Sequence, residues 1–217
     1  LSEVDLVVFS SAIKQDNPEI IDAKKNNIKI VKRAEMLAEL TNLKKSILIA
    51  GSHGKTTTTC IAAHIFKENN LDPTYIIGGK VSSFESNANL GEGKHIFAEA
   101  DESDGSFLLF NPDKAIITGI DNDHLETYQG NIENLKKAFV DFIKKVKSTV
   151  FILDLEKKWL KDLSFLNEKI IKYLFSYDDD YKIIHYSQNK KGSSFVVKDK
   201  KSDLEHFFEI GIHGQHN

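Results

Sequence analysis

Residues 49–59 read IAGSHGKTTTT, two glycines, a histidine and a lysine leading into four threonines. β-Branched threonines lose rotamer freedom in a helix and are not selected there for propensity. The preceding KKSILIAG (44–51) is an apolar strand ending in glycine, and the residues after the threonines have helical spacing. A strand ending at Ala50, a loop of Gly51, Ser52, His53 and Gly54, and a helix opened by Lys55, Thr56 and Thr57 aim backbone N–H groups and a helix N-terminus at one point. Such a point suits a phosphate. Lys55 adds a full positive charge, and the Thr56 hydroxyl can bind the magnesium ion that accompanies nucleotide phosphates. Only Ser52 and His53 separate the first glycine from Gly54-Lys55, fewer than in the common phosphate loop, which argues against an ordinary kinase or GTPase. The competing reading is a glycine-rich turn with a surface lysine; the strand before it and the helix after it weigh against that.

Outward from this loop the chain alternates. Leu6 to Phe9 is a short apolar strand, NPEIIDAKKNN (17–27) a helix opened by Asn17 and Pro18, NIKIVKR (27–33) a strand and AEMLAEL (34–40) a short helix. Beyond the loop, Ile61, Ala62, Ile65 and Phe66 form an apolar helical stripe that stops near Asn69 and Asn70. YIIGG (75–79), HIFAEADE (95–102), KAIITGI (114–120) and TVFIL (149–153) read as strands. Asn131 caps a helix whose face is Ile132, Leu135, Phe139, Phe142, Ile143 and Val146, with Lys144, Lys145 and Lys147 at its negative end. The pattern predicts an α/β fold, a mostly parallel sheet flanked by helices. A strand pair around the Lys191-Gly192 turn, followed by HFFEIGI (206–212), predicts a small antiparallel β appendage.

With 217 residues the chain can bury a sizeable core without a disulfide or metal staple. Its 29 basic and 32 acidic residues give a formal charge of −3, which argues against a coat for nucleic acid or anionic membrane. The single cysteine, Cys60, has no partner for an internal disulfide, and no apolar run reaches the roughly 20 residues of a membrane span, so a reducing, cytoplasmic setting is expected. The first residues carry no initiator methionine and run straight into a strand, and GIHGQHN ends without a cap or polar tail. A piece of a longer protein is expected.

Two further segments carry chemistry. AEADESDGSF (98–107) places Glu99, Asp101, Glu102 and Asp104 at the end of a predicted strand, on the sheet edge where open α/β folds bind ligands. Carboxylates beside phosphates need an intervening cation, so magnesium ligation is one reading and a solvated acidic turn the other. ITGIDNDHLETYQG (117–130) brings Asp121, Asp123 and His124 to the same edge. Magnesium prefers oxygen, so on chemistry alone His124 is a hydrogen-bonded loop residue before it is a ligand.

Taken in order, GSHGKTTTT, EADESDGSF, ITGIDNDHLETYQG and the final GQHN resemble the Mur ligases of cell-wall precursor synthesis, in their alanine-adding branch. The resemblance implies residues 1–45 as the end of a Rossmann-like UDP-sugar-binding domain and 46–217 as the central ATP-binding domain, incomplete at its end. It implies ATP-dependent activation of the lactyl carboxylate of UDP-N-acetylmuramate as an acyl phosphate, from which the amine of L-alanine displaces phosphate, by a monomer or homodimer. Carried over, Lys55, Glu99 and His124 are catalytic; Thr56, Glu99 and His124 bind metal; His216 and Asn217 meet the adenosine; His53, Ser103 and Asp104 meet the sugar substrate. ATP and Mg2+ are the implied cofactors. Gly119 replaces a usual asparagine beside the metal segment, and Phe139 stands where other branches carry a modified lysine. Lacking an amino-acid-binding domain, these residues alone are expected to bind Mg-ATP without completing ligation. The alternatives are a ligase that attaches a ready-made tripeptide during wall recycling, and a non-catalytic ATP sensor.

Overall fold

The computed structural model describes residues 4–79, 84, 86–123, 125–153, 170–173 and 181–214. Strand β1 (Leu6–Phe9) pairs in parallel with β2 (Lys29–Lys32), joined through helix α1 (Pro18–Lys25). The Asn17 side chain caps α1 by accepting from the Glu19 amide, and Pro18 takes the first helical position, where its missing N–H costs nothing. Helix α2 (Arg33–Thr41) follows and sends Ala38 into the main core.

That core is built on a ten-stranded sheet. Its central strand β3 (Lys45–Ala50) lies between β6 (His95–Glu99) and β7 (Lys114–Ile117), all parallel. Beyond β6 come β4 (Thr74–Ile76) and the antiparallel β5 (Ala88–Asn89); beyond β7 come β8 (Thr149–Leu153) and β9 (Ile170–Tyr173). The expected antiparallel appendage is present as β10 (Tyr181–Asn189), β11 (Gly192–Asp199) and β12 (Glu205–Ile210). It continues the same sheet, joined where Tyr181 pairs with Tyr173. The two-residue β5 is an element that its sequence does not announce.

Both faces of β3 are covered, so the strand is continuously apolar from Ile47 to Ala50 instead of alternating. Leu48 and Ala50 face one cluster with α4 (Ile132–Lys145), while Ile49 faces a second with Ala63 of α3 (Lys55–Glu68). Helix α4 matches its sequence: Asn131 accepts from the Glu133 amide, and Leu135, Phe139, Phe142 and Ile143 are buried. Phe107 meets the Phe139 ring edge-on at 5.1 Å and stacks with Phe142 at 5.2 Å.

The stripe expected on α3 needs correction. Ile65 is 53% exposed, and the inward face runs through Thr59 and Ala63 with Cys60, Ala62 and Phe66 beside it. The inward face of the helix is therefore centred on small residues, Thr59 and Ala63, with Ala63 in the cluster around Ile49. Thr59, buried, satisfies its hydroxyl on the Lys55 carbonyl at 2.8 Å.

Candidate functional site

Register decides what meets at the carboxyl edge. Ile49 pairs with Glu99 and Ala50 with Ile117, so β3, β6 and β7 end level and release their loops side by side. The amide of Ala100 donates to Ile49 O at 2.8 Å and that of Thr118 to Ala50 O at 2.9 Å, extending the ladder into the loops.

In the first loop, Gly51 adopts φ +135° and Gly54 adopts φ +79° as the N-cap of α3. No side chain caps this helix, so the first-turn amides of Lys55, Thr56 and Thr57 remain available to an anion. The loop is pinned from across the sheet: the Ser52 amide donates to Gly119 O at 3.0 Å, and the Asp121 amide donates to Ser52 Oγ at 2.9 Å. The single Thr118 Oγ1 proton is shared between the carbonyls of His53, the nearer, and Ala50. A β-carbon at Gly119 would meet nothing within 4 Å, but the backbone there has φ +146°, so a side chain would have room and still be strained.

Thr56 and Glu99 meet at this edge. Thr56 Oγ1 donates to Glu99 Oε2 at 3.1 Å, and Gly78 N donates to the other carboxylate oxygen at 2.8 Å. Two hard oxygen donors converging beside a phosphate loop form a donor set that fits magnesium. A cavity of about 240 Å³ opens against them, lined by Arg33, Thr56, Gly78, Glu99, Asp101 and Ser106 over Ala34, Leu37 and Phe110. A larger cavity of about 290 Å³, between α2 and the β4–β5 edge, is lined mainly by apolar residues with Lys44 and carries none of this chemistry.

Lys55 turns back over its own loop. Its Nζ donates to Gly51 O at 2.7 Å and to Glu102 Oε2 at 2.8 Å, and lies 3.9 Å from Asp101 Oδ1. Ser103 and Asp104 flank this pair. The Ser103 carbonyl accepts from Thr127 Oγ1 at 2.6 Å, and Asp104 Oδ1 accepts from the Ser106 amide at 2.9 Å to open the 3-10 turn Ser106–Leu109. His53, 67% exposed, places Nε2 2.8 Å from Asp123 Oδ2 and 3.7 Å from Asp121 Oδ2. The sequence predicts these three residues at one edge; their mutual contact is a structural finding. His124, His216 and Asn217 lie outside the described residues.

Tyr128 closes the site from behind, donating to the Glu102 carbonyl. Burial, then the charges of Glu102, Asp104 and Asp101, push its phenol up to about 12. Cys60 is half-buried, and burial, then Glu99, raises its thiol, so it is a packing residue and not a nucleophile. Sequence reasoning missed the parts played by Glu102, Gly78, Thr118 and Arg33. Glu102 was visible in the acidic cluster, but nothing there ranked four carboxylates by burial.

Residues 49–217 match the family model for the Mur ligase middle domain, and residues 2–45 match that for the Mur ligase family catalytic domain. The chain belongs to the Mur ligase family. It is 43% identical over 219 residues to the UDP-N-acetylmuramate–L-alanine ligase of Wigglesworthia glossinidia brevipalpis, an alignment covering 99% of this chain and 46% of that protein. Its fold superposes with a TM-score of 0.80, at 27% identity, on the UDP-N-acetylmuramate–alanine ligase of Thermotoga maritima, covering 98% of this chain and 48% of the other. A MurF ligase of Thermotoga maritima solved in complex with ADP shares the fold with a TM-score of 0.65 at 18% identity, covering 95% of this chain and 56% of the other. The chain spans about half the length of the relatives it matches.

Proposed function

We propose that this chain supplies the nucleotide-binding part of an ATP-dependent ligase that joins L-alanine to the lactyl carboxylate of UDP-N-acetylmuramate. The observation that carries the reading is the meeting, at one sheet edge, of the Lys55 ammonium, the open N-terminus of α3 and the Thr56–Glu99 oxygen pair. Phosphoryl transfer needs positioning and charge neutralisation more than covalent help from the protein, and this constellation offers both. The alanine specificity rests on the relatives' names and the ordered motifs.

In this reading residues 46–217 form the ATP-binding unit and residues 1–45 belong to the UDP-sugar-binding unit. The loop from Gly51 to Gly54 leads into the free first-turn amides of Lys55, Thr56 and Thr57, which cradle the phosphates; Lys55 neutralises charge on the transferred group, and Thr56 and Glu99 hold magnesium. When bound, that ion screens the phosphate oxygens from the site's carboxylates. His124 completes a second metal position, His216 and Asn217 meet the nucleoside, and His53, Ser103 and Asp104 border the sugar substrate. No described helix is long and apolar enough to cross a membrane. A cytoplasmic setting is part of this proposal, supported by its use of ATP and a nucleotide sugar.

The test is phosphate release by the gene product carrying these residues, given Mg-ATP and UDP-N-acetylmuramate, with L-alanine compared against the wall tripeptide. Release that requires L-alanine and disappears in Lys55→Ala supports the proposal. Tripeptide-dependent release would transfer the chain to the recycling ligases, and nucleotide binding without release would leave a sensor.

A further inference from the structure

We propose that Glu102 is the positioning residue for Lys55, an anchor that aims the ammonium at the phosphate instead of leaving it a mobile charge. The inference rests on the nucleotide-site reading above. The Glu102 side chain is 2% exposed, whereas neighbouring Asp101 is 46% exposed and 3.9 Å from the same ammonium. Glu102 is held from its backbone, where its carbonyl accepts from the Gly105 amide at 3.0 Å and from the buried Tyr128 hydroxyl. Its side chain cannot follow a moving lysine.

A lysine ammonium has three N–H donors on a flexible four-carbon stem. Gly51 O at 2.7 Å and Glu102 Oε2 at 2.8 Å take two of them and fix the direction of the third. Among the described residues Glu102 Oε1 has no hydrogen-bond partner, so the carboxylate's charge is compensated through Lys55. Removing one partner of a buried ion pair strands the other's charge and is strongly disfavoured. Lys55 therefore stays bonded to Glu102 when phosphate arrives and offers it the remaining N–H. The local charge of the pair is near zero, so ground-state attraction for nucleotide comes mainly from the helix N-terminus and the metal position. Lys55 then contributes direction, which matters most where charge moves during transfer.

The test reads the anchor without relying on activity. The nucleotide-free gene product is treated with limiting acetic anhydride, and acetylation of each lysine is followed by mass spectrometry, with exposed lysines such as Lys137 as internal references. Anchoring predicts slow labelling of Lys55 and a rise of about fivefold or more in Glu102→Gln, where a charge-assisted bond becomes a neutral one. Glu102→Asp keeps the charge but shortens the reach by one methylene. It must also label faster, which covers the case in which the glutamine variant does not fold. Unchanged Lys55 labelling in the folded variants, while Mg-ADP still protects Lys55 in the wild type, overturns the anchor. Absence of Mg-ADP protection in the wild type overturns the nucleotide-site reading and the proposal with it. In the gene product, Glu102→Gln lowers kcat for phosphate release about tenfold or more without raising KM for ATP. A proportional loss in both, with a lowered Tm, would mark a structural brace only and defeat the proposal.

Discussion

Replacing Gly51 by alanine tests whether the phosphate loop is held by close backbone approach. A β-carbon at Gly51 would lie 2.2 Å from Thr118 Oγ1, 2.8 Å from Gly119 O and 3.1 Å from Gly119 N. Thr118 can rotate away only by releasing the carbonyls of Ala50 and His53, and Gly119 can retreat only by releasing the Ser52 amide at 3.0 Å. Two hydrogen bonds at about 1 kcal/mol each, one from the Thr118 hydroxyl and one from the Ser52 amide, with about 1–3 kcal/mol for a side chain at φ +135°, give a loss of about 4 kcal/mol. At a urea slope of roughly 2.5 kcal/mol per M, the midpoint falls by about 1.5 M. Gly54→Ala is the internal comparison. Its β-carbon would make an ordinary 3.8 Å contact with Thr118 Cβ, leaving only left-handed backbone strain of about 1–2 kcal/mol. Urea unfolding followed by circular dichroism measures both. A Gly51→Ala variant within about 1 kcal/mol of wild type, or no more destabilised than Gly54→Ala, would refute the loop-clamping explanation.

Three further outcomes are expected. Phe139→Ala removes a fully buried ring between Phe107 and the sheet and costs about 3–5 kcal/mol by urea unfolding; a loss below about 1 kcal/mol would mean that α4 is not seated as described. Tyr128 has its folded pKa raised to about 12 from an ordinary value near 10, so its contribution to stability is fully present below pH 10 and declines as pH rises toward 12. The stability gap between wild type and Tyr128→Phe should therefore narrow across that window, and a gap that stays flat or widens contradicts the burial of the phenol. Glu99→Gln keeps the bond from Gly78 N possible but weakens the oxygen pair with Thr56, so magnesium-dependent nucleotide binding, measured calorimetrically, falls about tenfold or more while metal-free binding changes little. Equal losses with and without magnesium would place Glu99 outside the metal position.

Much of this molecule is legible locally. Asn17-Pro18 and Asn131 begin helices because a capping side chain and a fixed φ act within a few residues of themselves, and the α4 stripe is periodic over its full length. The apolar runs at β3, β6 and β7 and the Gly-Lys-Thr loop likewise announce a parallel sheet with a strand-to-helix glycine loop at its edge. Tertiary structure alone decides the rest. The phase of α3 is set by packing against the sheet, where Thr59 and Ala63 are buried, so Ile65 turns outward although its spacing suited the core. The pairing of Lys55 with Glu102 joins residues 47 positions apart. Of four carboxylates in six positions, the buried one is set by the path of the chain after β6, where Tyr128 and Gly105 hold the Glu102 carbonyl. Sequence determines which side chains can do chemistry; strand register and burial, which sum contacts from distant segments, determine which of them meet and which carboxylate keeps the lysine.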